Sequence, residues 1–214
     1  MIEKLILFWG WTRNEKSYQN LINTAPPNWQ IQSIPYEDLV PNGNTAKLNQ
    51  AILEFLAKRQ LDKVNLAGHS LGGALALLFA HDHPEKVKGL FLLDSEGIPG
   101  HETITEMFKN FYLSHTSHAR KKIIENTKAI LRIIKKPILH LRLAQFAHNI
   151  DIQRQAQELK TPTVIIWGEK DRIVPLWQGQ KLHELIPNSK FLILKDMDHD
   201  WVIYNPEKFW QNIR

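Results

Sequence analysis

The chain contains no cysteine. That excludes disulfides, thiolate nucleophiles and cysteine-ligated metals. It has no apolar run of the ~18–20 residues needed to cross a bilayer. Its opening stretch, Met1 to Phe8, is too short and too strand-like for a signal peptide. The expected location is the cytoplasm. Internal repeats, low-complexity tracts, long polar linkers and nucleic-acid-binding motifs are also missing, so no nucleic-acid partner is expected. The 214 residues suit one domain with a sizeable core. The formal net charge is +5, and it is unevenly spread. Residues 97–160 hold 11 Lys/Arg against 5 Asp/Glu, and the remainder holds 16 against 17.

Strand-like and helix-like runs alternate along the chain. Leu5–Trp9, Ile31–Pro35, Lys63–Ala67, Gly89–Leu93, Thr163–Trp167 and Phe191–Leu194 read as strands. Glu15–Asn23, Thr45–Arg59, Leu71–His81, Gln178–Leu185 and Pro206–Ile213 read as helices. In Thr45–Arg59, Leu48, Ala51, Ile52, Phe55 and Leu56 recur at helical spacing. Six strands with helical connections predict an α/β fold, a mostly parallel six-stranded sheet covered by helices on both faces. Residues 97–160 contain helical patterns and no clear strand. They read as a helical cap inserted into a core made of 1–96 and 161–214, over the sheet edge where such folds bind ligands.

The most informative stretch is Gly68-His69-Ser70-Leu71-Gly72, a G-x-S-x-G pattern between the apolar run Val64–Ala67 and the helix-like run Ala74–Ala80. A serine hydroxyl needs a base to take its proton and a position that protrudes toward substrate. A sharp strand-to-helix turn supplies the second requirement, and glycine at 68 and 72 avoids collision with neighbouring backbone. The new helix aims its free N–H groups and positive dipole end at the site, so the Leu71 N–H is placed to face an oxyanion. The other two members of a Ser…Asp…His order follow downstream. Asp171 lies in Gly168-Glu169-Lys170-Asp171-Arg172, beyond one strand, and His199 lies in Asp198-His199-Asp200, beyond the next. All three therefore fall at one edge of one sheet.

On these pieces, GHSLGG at 68–73, WGEKDRIVP at 167–175 and the His199 loop, the chain resembles the α/β-hydrolase superfamily from Leu5 to Arg214. The resemblance implies a minimal α/β-hydrolase fold with Ser70 as nucleophile, His199 as base and Asp171 as orienting acid, needing no cofactor and no metal. Two departures stand out. The family's usual His-Gly is here Trp9-Gly10-Trp11, with Trp11 at the position of the second oxyanion N–H, and the chain opens at what would be the family's third strand. The implied reaction is hydrolysis of a small-molecule acyl ester through an acyl-enzyme. A thioester, lactone, amide or carbon–carbon bond is the alternative for the same triad, and a catalytically silent binding module is the alternative class. Serine at the elbow, in place of aspartate, disfavours dehalogenase and epoxide-hydrolase chemistry.

Asp94, ending an earlier strand, and Glu169 compete with Asp171 for the acid position. Asp196, Asp198 and Asp200 are placed to raise the His199 pKa by proximity. His81-Asp82-His83 resembles a metal pair but reads as a solvated helix end. Trp9, His69, Trp11 and Trp201 either line the pocket or belong to the core. Phe108, Phe111 and Tyr112 either roof it or pack on the sheet. The basic cap carries Arg120, Lys121, Lys122, Lys128, Arg132, Lys135, Lys136 and Arg142. It reads as a solvated face, as a membrane-surface helix, or as a surface steering an acidic carrier or coenzyme A-linked substrate. In this last respect the chain is similar in part to the carrier-protein methyl ester esterases of biotin synthesis.

Overall fold

A computed structural model of the chain describes residues 2–40, 44–100 and 119–213. The strands are β1 (Glu3–Phe8), β2 (Trp29–Ser33), β3 (Val64–His69), β4 (Val87–Leu93), β5 (Thr163–Gly168) and β6 (Lys190–Leu194). They form one sheet in the order β2-β1-β3-β4-β5-β6, and every pairing is parallel. The expected mostly parallel sheet is therefore fully parallel among the described residues. Parallel strands buried on both faces read as continuous apolar runs. β3 is buried along its whole length, and β1, β4 and β5 are buried in their last four residues. Phe8, Gly68, Leu92, Ile165 and Phe191 pair in one row across the sheet. That register brings the C-terminal ends of five strands out on the same edge.

The helices are α1 (Gln19–Asn23), α2 (Ala46–Lys58), α3 (Leu71–Asp82), α4 (Ala119–Lys135), α5 (Pro137–Asn149), α6 (Gln153–Glu158), α7 (Leu176–Leu185), α8 (Trp201–Tyr204) and α9 (Glu207–Asn212). α2 is amphipathic and buries Leu48, Ile52 and Leu56 at four-residue spacing. α3 differs. Nine of its residues are buried, from Leu71 to Ala80, and it packs on β1, β3 and β4 and on α6. A helix apolar all round has no solvent face, so α3 is the central helix of the core. His81 and Asp82 end it at the surface. His81 Nδ1 is 3.0 Å from Asp82 and its Nε2 is 3.0 Å from Glu158, so this histidine is engaged at a helix end.

α4, α5 and α6 lie in sequence between β4 and β5, where the helical cap is expected. Phe108, Phe111 and Tyr112 lie outside the described residues, and of Arg120, Lys121 and Lys122 only the helical backbone is described. No helix among the described residues is long and apolar enough to cross a membrane.

The centrality of α3 yields a stability prediction. Leu75 is 1% exposed, and Leu75→Ala keeps helix propensity while opening a core cavity. Urea denaturation should show a loss of about 2–5 kcal/mol, whereas a loss under about 1 kcal/mol would mean the core collapses around the gap.

Candidate active site

Ser70 sits between β3 and α3 with φ 55° and ψ −128°, the left-handed half of backbone space that a non-glycine residue rarely occupies. The turn is held from both sides: Ser70 N–H donates to Leu93 O at 3.0 Å, and Gly73 N–H donates to Ser70 O at 2.8 Å. A Cβ at Gly68 would overlap the Gly72 carbonyl, and one at Gly72 would overlap the Phe8 and Trp9 carbonyls. The glycines of the motif are therefore required by backbone-to-backbone contact, with no room for a side chain.

The loops after β5 and β6 bring in the other two residues. His199 Nδ1 lies 2.7 Å from Asp171 Oδ2, and both residues are buried. Asp171 Oδ1 accepts the N–H groups of Ile173 at 2.8 Å and Val174 at 2.9 Å. The carboxylate is thus held by three donors and aimed at the ring. Burial would lower the His199 pKa, but the charge and hydrogen bond of Asp171, followed by Asp200 and Glu96, outweigh it and raise the pKa above 6.5. Of the three aspartates expected to do this from the same loop, Asp200 contributes, after Asp171.

Ser70, His199, Trp11, Leu71 and His69 line one cleft of about 450 Å3, together with Gly10, Arg13, Glu96, Ala147, Ile173 and Asp200. Two tryptophans expected at the pocket lie elsewhere. Trp9 is buried and its Nε1–H donates to Glu37 Oε1 at 2.7 Å. Trp201 is 1% exposed and its Nε1–H donates to the Asp94 carboxyl. Each satisfies the polar edge of a buried indole away from the cleft, which corrects the pocket reading for both.

Asp94, the rival acid, stands behind Asp171. One oxygen accepts Gly168 N–H at 2.8 Å and the other accepts Trp201 Nε1–H. Burial followed by the Asp171 charge pushes its pKa well above the usual carboxylate range. Ligand atoms of Asp94, Asp171 and His199 lie within 4.8 Å of one another, but backbone, indole and imidazole N–H groups already occupy the carboxyl oxygens. Glu169 is further out, accepting the Asp196 N–H at 3.0 Å.

His69 is locked in place. Its Nε2 lies 2.8 Å from the His199 carbonyl oxygen, which can only accept, so Nε2 carries the proton. Nδ1 then accepts from Tyr18 OH at 2.6 Å, and Tyr18 OH accepts from Gly10 N–H at 2.9 Å. Burial, then the neighbouring His199, lowers the His69 pKa to about 3. A neutral histidine thus ties the Gly10–Trp11 loop to the His199 loop. Arg13 forms a second tie. It is 2% exposed, and its Nη2 reaches both Asp200 oxygens at 3.0 and 3.2 Å. Sequence reading missed Tyr18, Arg13 and Asp200 as a framework. No local pattern marks them, because their partners are 51, 187 and 187 residues away.

A parallel sheet of this kind, with a serine on a strained turn after β3 and an Asp–His pair on the last two strand ends, defines the fold as that of the α/β hydrolases. The pattern of the family described as serine aminopeptidase, S33, matches residues 45–203, and the chain belongs to that family. It is similar to 2-hydroxy-6-oxononadienedioate/2-hydroxy-6-oxononatrienedioate hydrolase 1 of Pseudomonas putida, at 26% identity over 89% of this chain and 76% of the relative. It is also similar to the pimeloyl-[acyl-carrier protein] methyl ester esterase of Neisseria meningitidis, at 23% identity over 97% of this chain and 91% of the relative. Among solved structures, the enol-lactonase from Burkholderia xenovorans superposes with a TM-score of 0.80 at 13% identity, covering 100% of this chain and 90% of that one.

The Tyr18 tie is open to test. Tyr18→Phe strands the Gly10 N–H and the His69 Nδ1 in a dry interior. Chemical denaturation should read a loss of about 1–3 kcal/mol; a neutral result would show that water replaces the hydroxyl.

Proposed function

We propose that the chain is a serine hydrolase of carboxylic esters that works by two-step acyl transfer. The observation that supports this most is the His199–Asp171 hydrogen bond, on the same cleft as Ser70 at its positive-φ turn. In this reading His199 takes the Ser70 proton and Ser70 Oγ attacks the ester carbonyl. The backbone N–H groups of Trp11 and Leu71 hold the tetrahedral oxyanion, each worth roughly 3–4 kcal/mol in the transition state. His199 gives its proton to the leaving alcohol. It then takes a proton from water, which attacks the acyl-enzyme, and passes that proton to Ser70 Oγ as the acid leaves. Asp171 keeps His199 in the tautomer that presents Nε2 to the serine. No cofactor takes part in this sequence.

Residues 97–160 act as the cap of this site, on a core of 1–96 and 161–214. Two contacts support that role: Arg132 Nη1 donates to Thr12 O at 2.7 Å, and Ser17 Oγ donates to Glu125 at 2.9 Å. Both join α4 to the loop that follows β1. Beside that loop lies a hollow of about 690 Å3 lined by Arg13, Arg132, Lys135, Lys136 and His140, with Glu37 and Asp38. Its cationic lining favours a second, finer reading in which the acyl group arrives on an acidic carrier or on coenzyme A. The name of the Neisseria relative agrees with this. Thioester, lactone, amide or carbon–carbon hydrolysis would use the same residues, and the names of the Pseudomonas and Burkholderia proteins lie in that direction.

Two outcomes follow. Across a p-nitrophenyl ester series from acetate to long acyl chains, turnover should fall roughly ten-thousand-fold or more in Ser70→Ala. Activity that survives the substitution would remove Ser70 from the reaction, and inactivity of the parent on every ester, thioester and lactone offered would favour the silent binding module. The base must be neutral, so activity falls as pH drops through the His199 pKa. With that pKa raised above 6.5, the acid limb of kcat/KM should have its midpoint above 6.5. A midpoint below that value would mean that burial outweighs the Asp171 charge.

A further inference from the structure

α4 and α5 pack against each other, yet their outer surface is aliphatic. Ile123, Ile124, Ile130, Leu131 and Ile134 on α4, and Ile138 and Leu141 on α5, are 42–67% exposed. They account for seven of the ten exposed large hydrophobic side chains among the described residues. At ~100° per residue the five on α4 fall within an arc of about 120°, a single face of the helix. Between residues 123 and 135, Thr127 is the one polar residue inside that arc. Lys128 and Lys135 border it, both exposed, and Arg142 is exposed beside Leu141.

The charge on this surface has one sign. Residues 119–150 contain eight Lys/Arg and a single acidic residue, Glu125. Glu125 is turned inward: its side chain is 12% exposed and bonds Ser17 and Lys128. Between residues 123 and 150 there is no exposed carboxylate. Aliphatic side chains exposed along one helical face cost free energy in water unless something covers them. A second copy of the chain is a poor cover. A two-fold contact would set Lys135 and Arg142 against their own kind with no exposed carboxylate between them. An anionic lipid surface meets both features at once: acyl chains receive the isoleucines and headgroups receive the cations.

We propose that the α4–α5 face docks the protein on anionic phospholipid membranes, with the Ile123–Leu141 stripe entering the interface and Lys128, Lys135 and Arg142 meeting the headgroups. The contacts of α4 with Thr12 and Ser17 then hold the cleft close to the docked face. This inference does not depend on the ester reaction, because its readout is binding.

The test is flotation of the full chain with vesicles of phosphatidylcholine alone and of phosphatidylcholine mixed with phosphatidylglycerol. The protein should float with the mixed vesicles, remain behind with phosphatidylcholine, and be released by high salt. Lys135→Gln with Arg142→Gln should lower the partition coefficient roughly thirtyfold. Ile130→Gln, Ile134→Gln and Ile138→Gln together should abolish flotation while circular dichroism and p-nitrophenyl ester turnover stay unchanged. Four results would overturn the proposal: no flotation with the mixed vesicles, equal flotation with both kinds, retention of flotation in the triple variant, or capture by an acidic carrier protein without flotation. Sedimentation of the parent as a dimer that the triple variant breaks, again without flotation, would assign the face to a second copy.

Discussion

The first turn of α3 lies so close to the ends of β1 and β3 that no side chain fits between them. At Gly68 and Gly72 an added Cβ would occupy the space of backbone carbonyls. The rest of the site depends on this contact. Because the turn cannot relax, Ser70 is driven to φ 55°, a conformation costing of order 1–3 kcal/mol that only surrounding structure can hold. The surrounding structure is the apolar helix α3 packed on three strands. The hydrogen bonds of Ser70 to Leu93 and Gly73 fix the last degrees of freedom.

Two buried ties set the loops around that turn. Tyr18 and His69 form one, from Gly10 N–H to the His199 carbonyl. Arg13 and Asp200 form the other, an ion pair in which Nη2 reaches both carboxylate oxygens. Burying that pair costs desolvation of both ions, and a single-partner loss would leave an uncompensated charge in the interior. Together the ties join the segment after β1 to the segment after β6, the two loops that carry Trp11 and His199. The geometry of the cleft is therefore a property of long-range polar contacts laid over a rigid parallel sheet.

The electrostatics follow from the same crowding. Two carboxyl groups share a dry space behind His199: Asp171 faces the imidazole, and Asp94 is pushed up in pKa by burial and then by the Asp171 charge. The two identical side chains thus have different partners: His199 for Asp171, Gly168 N–H and the Trp201 indole for Asp94. Two histidines on the cleft part in the same way. His199 is raised by Asp171, whereas His69, with a tyrosine hydroxyl and a carbonyl as partners, is held neutral.

Much of this was legible in the residues alone. Apolar runs located the inner strands β1, β3, β4 and β5, which are largely covered on both faces, whereas the edge strands β2 and β6 are only partly buried and mix polar with apolar residues. The glycine spacing around Ser70 marked the turn, because only backbone contact demands glycine on both sides. Asp171 and His199 were placed at one edge because residues just past parallel strands must share it. The reading failed where a side chain's environment comes from residues distant in the chain. Trp9 and Trp201 resembled Trp11 as letters, but Glu37 and Asp94 hold them off the cleft. Helical patterns were visible in residues 97–160, yet only the packing of α4 left Ile123, Ile130 and Ile134 on the outside. Local sequence determined which elements form and which turn is strained, since both arise from steric and hydrophobic terms acting within a few residues. Tertiary structure decided which polar groups meet and which apolar face stays open, because those depend on partners that distant parts of the chain supply.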